Sequence, residues 1–292
     1  MTRAEVGVVG LGVMGSAIAR RLLETGHAVR VYDVRPEAVL DLVAAGAVAS
    51  ATPKAVAEAG QVVLSLNSTA IVEQVVFGAD GVLTGDSSGV LVVDMSSIDP
   101  VSTRELAARA GELGASWVDA PLSGGAPAAA RGGLTLMLGG REQDVERATA
   151  LLDALATQIT HIGPSGSGQA VKLINQVLVG CTFAALAESA ALVRAAGLRP
   201  DEVLKALTGG RADSVLLQEF FTKFAEVDLA PTGRVGNMVK DLEAARAFAR
   251  SVGVPLPITS AVTELHHWLV TAGHGDADNA ALMRYYLDRE SV

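Results

Sequence analysis

The sequence predicts an α/β chain in two parts: a doubly wound parallel sheet over residues 1–163 and an all-helical region over residues 164–292, joined by one long helix. Three observations predict it. Through the first half, short β-branched apolar runs alternate with Ala-, Glu- and Arg-rich stretches of helical period. Near-continuous apolar strands separated by helices belong to a parallel sheet covered on both faces. At Gly163-Pro164-Ser165-Gly166-Ser167-Gly168 turn-forming residues follow one another without a break, which marks a boundary. Beyond that boundary every periodic segment is helical.

Taken in order, the strand patterns fall at residues 6–9, 29–32, 62–66, 90–94 and 117–120, and the helices between them at 16–24, 36–45, 70–76 and 103–113. Ile18, Leu22 and Leu23 stand at i, i+4 and i+5, the apolar face of the first of these helices. Two more strands, at 134–138 and 158–162, flank an acidic helix at 142–156. From Gln169 to Ala196 the chain is free of proline and has one glycine, Gly180. A single helix of that length spans about 42 Å, long enough to act as a spine joining two domains or two subunits. Further helices are predicted at 200–207, 215–224, 235–251, 258–270 and 278–288.

Composition narrows the function. Half of the 292 residues are hydrophobic and only 19% are charged, which excludes a disordered chain. A chain of this length buries roughly 75% of its extended surface and needs neither disulfides nor metal to hold a core. With 4% aromatics and 31 glycines, Val/Ala/Leu layers with tight turns are favoured over an aromatic-rich sandwich. The formal charge of −9 leaves no basic footprint for nucleic acid. A single cysteine, Cys181, excludes an internal disulfide and fits a reducing compartment. The opening Met1-Thr2-Arg3-Ala4-Glu5 runs into a strand pattern with no signal-peptide core, so a cytoplasmic location is expected. No run of about 18 uninterrupted apolar residues occurs, so no membrane span is expected.

Gly10-Leu11-Gly12-Val13-Met14-Gly15 follows the first strand and opens the first helix. In that context Gly10 permits the sharp turn, Gly12 lets the backbone approach a pyrophosphate, and Gly15 clears the contact of helix and strand. Phosphates would then meet free N–H groups at the positive end of the helix dipole. Asp33 closes the second strand 18 residues after Gly15, the place of an acid on the adenine ribose. The first half therefore reads as a Rossmann-like dinucleotide-binding domain. A carboxylate at Asp33 favours NAD over NADP, because it accepts from a 2′-hydroxyl and repels a 2′-phosphate. Arg35, two residues on, is either a phosphate contact or a solvated loop arginine, so NADP is not excluded.

Together with this loop, three segments resemble the β-hydroxyacid dehydrogenase family, which includes 3-hydroxyisobutyrate dehydrogenase and tartronate semialdehyde reductase and is related to 6-phosphogluconate dehydrogenase. They are Asp119-Ala120-Pro121-Leu122-Ser123-Gly124-Gly125, Gly168-Gln169-Ala170-Val171-Lys172-Leu173-Ile174-Asn175, and Lys240-Asp241-Leu242. The resemblance implies an NAD(P)-dependent oxidoreductase that interconverts a small 3-hydroxy acid and its 3-oxo acid. It implies Lys172 as general acid/base, and Ser123, Gly124 and Gly125 on the substrate carboxylate. Asn175, one turn after Lys172 on the same helical face, is implied as a substrate contact. Lys240 is implied beside both substrate and cofactor, Ser97 near the nicotinamide in place of the usual threonine, and Leu66 and Asn67 along the middle of the cofactor. An ammonium with the reference pKa near 10.4 is a poor base, and a dry site is what favours the neutral amine. Without the resemblance, Lys172 reads as a snorkelling lysine, Lys240 is equally well a surface lysine in a charged helix, and Ser123-Gly124-Gly125 has an ordinary turn as a serious rival reading.

Two departures from the family pattern bear on substrate. Gln176 stands where relatives often have a second asparagine, and Thr232-Gly233-Arg234-Val235-Gly236-Asn237-Met238 lacks the aromatic residues common before the Lys-Asp-Leu segment. Arg234 and Asn237 hint at a substrate with an extra hydroxyl or acid group, such as tartronate semialdehyde, glycerate or an aldonate. Adjacent His266 and His267, with His274, lack metal-ligand spacing and read as a solvated or partly buried helix face. Cys181 reads as a small core residue. An imine reductase on the same scaffold would usually lack the lysine, and a non-catalytic cofactor-binding protein would not need the Lys172, Asn175 and Ser123 set. The decarboxylating phosphogluconate branch has a larger helical domain. The expected partners are a small hydroxy acid and a second copy of the chain, as a homodimer or homotetramer.

Overall fold

The structure is a computed structural model of the chain, and residues 5–287 are described. The first half alternates strands and helices: β1 (Glu5–Val9), α1 (Val13–Glu24), β2 (Ala28–Tyr32), α2 (Pro36–Val43), β3 (Val48–Ala49), α3 (Pro53–Val56), β4 (Gln61–Leu64), α4 (Thr69–Phe77), β5 (Leu91–Asp94), α5 (Pro100–Glu112) and β6 (Ser116–Asp119). It continues through β7 (Leu122–Ser123), α6 (Gly125–Arg131), β8 (Leu134–Gly139), α7 (Glu142–Leu152) and β9 (Ala156–Gly163). The remainder is helical: α8 (Ser167–Ala195), α9 (Pro200–Leu207), α10 (Val215–Glu226), α11 (Val235–Ser251), α12 (Pro257–Thr271) and α13 (Arg284–Leu287).

The strands form one sheet in the order β3-β2-β1-β4-β5-β6-β8-β7, with β9 beside β8. The strands from β3 to β6 in that order are mutually parallel. Alternate side chains serve two cores, one on each face. Val6, Val8, Leu91 and Val93 join Ile18 and Leu22 of α1 on one face. Val9, Val62, Leu64 and Val92 join Val72 and Val76 of α4 and Leu106 of α5 on the other. Strand order reverses at β1, which lies between β2 and β4, and such a switch point leaves a crevice at the carboxyl ends of the strands.

Beyond β6 the sheet is mixed, which the alternation alone does not predict: β8 runs antiparallel to β6 and β7, while β9 is parallel to β8. Ala120 and Pro121 only interrupt a single register against β8, in which Asp119 faces Gly139, Leu122 faces Leu136 and Ser123 faces Thr135, so β6 and β7 run one way and β8 returns antiparallel to both after α6. Two-residue β3 and β7 are too short to carry a period, and α6, built on Gly-Ala-Pro-Ala-Ala-Ala-Arg, has no apolar stripe to reveal it.

The chain divides into two compact units, the first ending at Lys172 and the second beginning at Leu173, inside α8. The change in composition comes earlier, at 163/164. The first turn of α8 belongs to the first unit because Asp119 and Gln169 bind it to the sheet, as described below. In the second unit Phe183, Leu186, Ala187 and Ala190 of α8 share a core with Phe221 and Phe224 of α10, Met238 and Leu242 of α11, and Leu269 of α12. Gly180 receives the methyl end of Leu242; a Cβ there would lie 2.9 Å from it.

No membrane span is expected from uninterrupted apolar runs, yet α8 is long and apolar enough to cross a membrane, with a mean hydropathy of 1.6 over its best window. Much of that apolar surface is spent on the core, with 44% of the window buried. The last predicted helix is a 3-10 turn, Asn279–Met283, running into α13. Its predicted end at Asp288, and the opening Met1-Thr2-Arg3-Ala4, lie outside the described residues.

Candidate active site

Each glycine of the first loop has its own physical reason. Gly10 has φ +89°, open to glycine at little cost, and a Cβ there would lie 2.3 Å from the Ser65 carbonyl oxygen. A Cβ on Gly15 would fall 1.8 Å from the Gly10 carbonyl oxygen, so α1 can seat on the turn only without a side chain. Gly12 is different: a Cβ there would meet nothing within 4 Å. Its glycine answers to open space above the backbone and not to packing. Gly12 is also the N-cap of α1, with no side-chain cap and no acidic residue in the first turn, so the helix keeps its N–H groups for an anion. Leu11 is buried beneath the loop, Val13 is exposed at the start of α1, and Met14 packs against the core. These residues fit the pyrophosphate of a dinucleotide.

Asp33 turns back to brace this loop. Leu11 N–H donates to its Oδ2 at 2.6 Å, and the Arg35 N–H and Nε donate to its Oδ1 at 2.9 and 3.0 Å. Arg35 Nη2 also donates to the Leu11 carbonyl at 3.0 Å. Burial alone would raise the Asp33 pKa, but the hydrogen bonds from Arg35 and the Leu11 amide hold it below the ordinary carboxylate value. Arg35 is therefore a partner of Asp33 rather than a purely solvated loop arginine, although its side chain stays half exposed.

A second set of contacts joins the loops after β4, β5 and β6 to the start of α8. Leu66 N–H donates to Ser96 Oγ at 3.0 Å, and Ser96 N–H to Asp94 Oδ1 at 3.0 Å. Gln169 grips the same loop from α8: its Nε2 donates to the Ser96 carbonyl at 2.7 Å and its Oε1 accepts from Ile98 N–H at 3.3 Å. Asp119, at the end of β6, accepts from Gly166 N–H at 2.8 Å and Gln169 N–H at 3.1 Å, a cap supplied from a distant strand. Gly168 must be a glycine, since a Cβ would sit 2.2 Å from the Met137 carbonyl oxygen. Half-buried Lys172 follows in the second turn of α8, so its helix is set by the loop that carries half-buried Ser97. Asn67 is exposed just before the Ser68 cap of α4.

Ser123 ends β7 opposite Thr135 of β8, and Gly124 and Gly125 have φ +118° and +67°. Two successive left-handed residues turn the backbone back on itself and leave this loop exposed.

In the second unit, Asn175 and Lys240 are brought together through two residues to which the sequence reading assigned no function. Asn175 Nδ2 donates to Gln176 Oε1 at 3.0 Å, and Gln176 Nε2 donates to Asp241 Oδ2 at 2.6 Å. Lys240 Nζ lies 3.8 Å from Asp241 Oδ1. Arg234 is exposed and reaches Asp276 at 3.4 Å. Thr232 and Gly233, just before it, donate their N–H groups to buried Asp278 at 2.8 and 3.3 Å. His266 is not on a solvated or partly buried face: it is fully buried, with Nδ1 donating to the Val262 carbonyl at 2.8 Å, and burial lowers its pKa. Cys181 is a free, half-buried thiol 4.0 Å from Thr259 Oγ1.

The residues without a functional assignment from sequence are thus Asp94, Ser96, Gln169, Gln176 and Asp241. Asp94 left a signal, an acid closing a wholly apolar run, Leu91-Val92-Val93-Asp94. Gln176 stood out as a departure from the family pattern and Asp241 lay within the Lys-Asp-Leu segment, but their pairing left no signal short of knowing that α8 and α11 pack together.

Residues 5–163 match the family model described as the NAD binding domain of 6-phosphogluconate dehydrogenase. Residues 166–286 match the model described as NAD-binding of NADP-dependent 3-hydroxyisobutyrate dehydrogenase. The chain is 34% identical over 281 residues to a 2-hydroxy-3-oxopropionate reductase of Escherichia coli (strain K12), covering 96% of each chain. It is 35% identical over 284 residues to a 2-(hydroxymethyl)glutarate dehydrogenase of Eubacterium barkeri, covering 97% of this chain and 94% of the relative. Among solved structures, a 3-hydroxyisobutyrate dehydrogenase from Salmonella typhimurium superposes with a TM-score of 0.87 at 33% identity, covering 97% of this chain and 100% of that one.

Proposed function

The chain belongs to the β-hydroxyacid dehydrogenase family, and on that premise we propose that it interconverts a small 3-hydroxy acid bearing a further polar group with its 3-oxo acid, using Lys172 as general acid/base. It is an NAD(P)-dependent oxidoreductase acting on CH–OH groups of small hydroxy acids. The bound nicotinamide supplies the hydride acceptor or donor. Gly12 and the open end of α1 hold the pyrophosphate, and Asp33 takes the adenine ribose, with NAD the preferred form. Ser123, Gly124 and Gly125 hold the substrate carboxylate with a hydroxyl and backbone N–H groups. In oxidation Lys172 takes the hydroxyl proton as the carbonyl forms; in reduction it returns that proton to the alkoxide oxygen.

One observation carries the reading: the helix of Lys172 and Asn175 is locked at its first turn, by Asp119 and Gln169, to the loop of Ser97. Such bracing is what a proton donor needs to hold its geometry. The polar Arg234 and Asn237 support a substrate of the 2-hydroxy-3-oxopropionate type, the substrate in the name of the Escherichia coli relative. Exposed Ile174, Leu178 and Leu192 along α8 support a homodimer or homotetramer, which light scattering would contradict by finding a monomer. A cytoplasmic setting agrees with the free thiol of Cys181.

The test is a panel of small hydroxy acids, semialdehydes and cyclic imines assayed with NAD and NADP, on wild type and Lys172→Ala. Turnover of one hydroxy acid, lost by about a thousandfold in the variant with cofactor affinity retained, is the expected result. Equal loss of turnover and cofactor binding would overturn the proton-transfer role, and turnover of imines alone would overturn the substrate class.

A further inference from the structure

We infer that Gln176 and Asp241 form a positioning relay that decides which end of the Asn175 amide is turned to the substrate. The inference rests on the reading of Asn175 as a substrate contact. A carboxamide has a donor end and an acceptor end of nearly equal shape, and nothing in an isolated asparagine chooses between them. Here the choice is forced from the far end of a chain. A carboxylate only accepts, so Asp241 requires the amino end of Gln176, and the 2.6 Å contact is Nε2 to Oδ2. That leaves the Gln176 oxygen pointing the other way, where it accepts from Asn175 Nδ2 at 3.0 Å. Asn175 consequently turns its own oxygen away from Gln176. Both Gln176 and Asp241 are 9% exposed, so water competes poorly for either link, and an ill-paired amide there would be costly.

The relay crosses between two helices, α8 and α11, whose approach is fixed by Leu242 against Gly180. Its other end is tied to Lys240, whose Nζ is 3.8 Å from Asp241 Oδ1. One carboxylate therefore sets an amide on α8 with one oxygen and steadies an ammonium on α11 with the other. The chemical consequence is selective. An asparagine held with its oxygen outward, one turn from Lys172, accepts from an O–H group, so it favours substrates that present a hydroxyl over analogues that lack one. Gln176 serves this purpose because its longer side chain spans from Asn175 to Asp241.

The experiment compares Gln176→Met, Asp241→Asn, Asn175→Ala and the Gln176→Met/Asn175→Ala double variant for kcat, KM of the hydroxy acid, cofactor Kd and Tm. Gln176→Met keeps the volume and loses both hydrogen bonds. It should raise KM about tenfold while cofactor Kd is unchanged. The double variant should be no worse than Asn175→Ala, because the relay acts only through that residue. A hydroxy acid should also lose its advantage over its deoxy analogue as a competitive inhibitor. Asp241→Asn, which can present either end of its amide to Gln176, should give a smaller rise and serves if Gln176→Met folds poorly. If Asn175→Ala raises KM and neither Gln176→Met nor Asp241→Asn does, the relay is overturned and the function stands. If Asn175→Ala leaves KM unchanged, both the substrate contact and the relay fall.

Discussion

Asp94 and Asp119 stand opposite one another in register on adjacent parallel strands, β5 and β6, and both are wholly shielded from solvent. They do different work. Asp119 spends its oxygens on the N–H groups of Gly166 and Gln169, tying α8 to the sheet. Asp94 accepts from Ser96 with one oxygen, and its Oδ2 is buried with no hydrogen-bond partner among the described residues. Burial, reinforced by the charge of Asp119 and opposed by the hydrogen bonds from Ser96, pushes the Asp94 pKa up to about 7. Asp119 is raised too, by burial working against its backbone hydrogen bonds.

The first prediction follows from that shift. The folded state holds the Asp94 proton up to about pH 7, whereas the unfolded chain releases it near the ordinary aspartate value of 3.8. Between these values the unfolded state binds fewer protons, so the contribution of Asp94 to stability declines as pH rises and is level above about pH 7. Asp94→Asn removes this dependence. In urea titrations the stability of the variant relative to wild type should grow by about 4 kcal/mol between pH 4 and pH 8. A constant difference across that range would show that Asp94 ionises normally in the fold.

The glycine loop yields a second, paired prediction. A methyl group on Gly12 enters open space, so Gly12→Ala should leave Tm near wild type and weaken cofactor binding by about tenfold or more. A methyl group on Gly15 collides with the Gly10 carbonyl oxygen, so Gly15→Ala should destabilise the fold itself by about 1–3 kcal/mol. Thermal melts and cofactor titrations on the two proteins separate these outcomes. Equal melting losses would mean that Gly12 is structural.

Cofactor choice is the third. Asp33 has both oxygens engaged by Leu11 and Arg35, so a ribose hydroxyl must share the carboxylate with the guanidinium. Asp33→Ser should remove the repulsion of a 2′-phosphate and free Arg35 to meet it, shifting the kcat/KM ratio toward NADP by about tenfold or more. Arg35→Ala should reduce use of NADP while leaving NAD turnover within about twofold. An unchanged ratio in both variants would remove the pair from cofactor selection.

Periodicity and residue type made much of this legible before any coordinates. Strands from Val6 to Asp119, the long helix after the glycine-rich turn, and the helical remainder follow from apolar spacing, a local property of the chain. Gly10, Gly12 and Gly15 were readable because each answers a backbone demand made within a few residues. Short β7 and α6 were not, nor was the antiparallel direction of β8, although the strand itself is legible at 134–138, since direction depends on which strand edge is left to pair.

What the amino-acid order determined alone is the kind of chemistry: a nucleotide loop, an acid at the second strand, and a lysine and an asparagine one helical turn apart. Tertiary packing decided how those groups are held. Asp119 reaches Gln169 of α8 from 50 residues away, Gln176 and Asp241 are 65 apart, and the hydrogen bond from Leu11 N–H to Asp33 requires β2 to lie against β1. Hydrogen bonds between distant segments leave no period in the sequence, because their partners are chosen by geometry that exists only once the sheet and helices have packed.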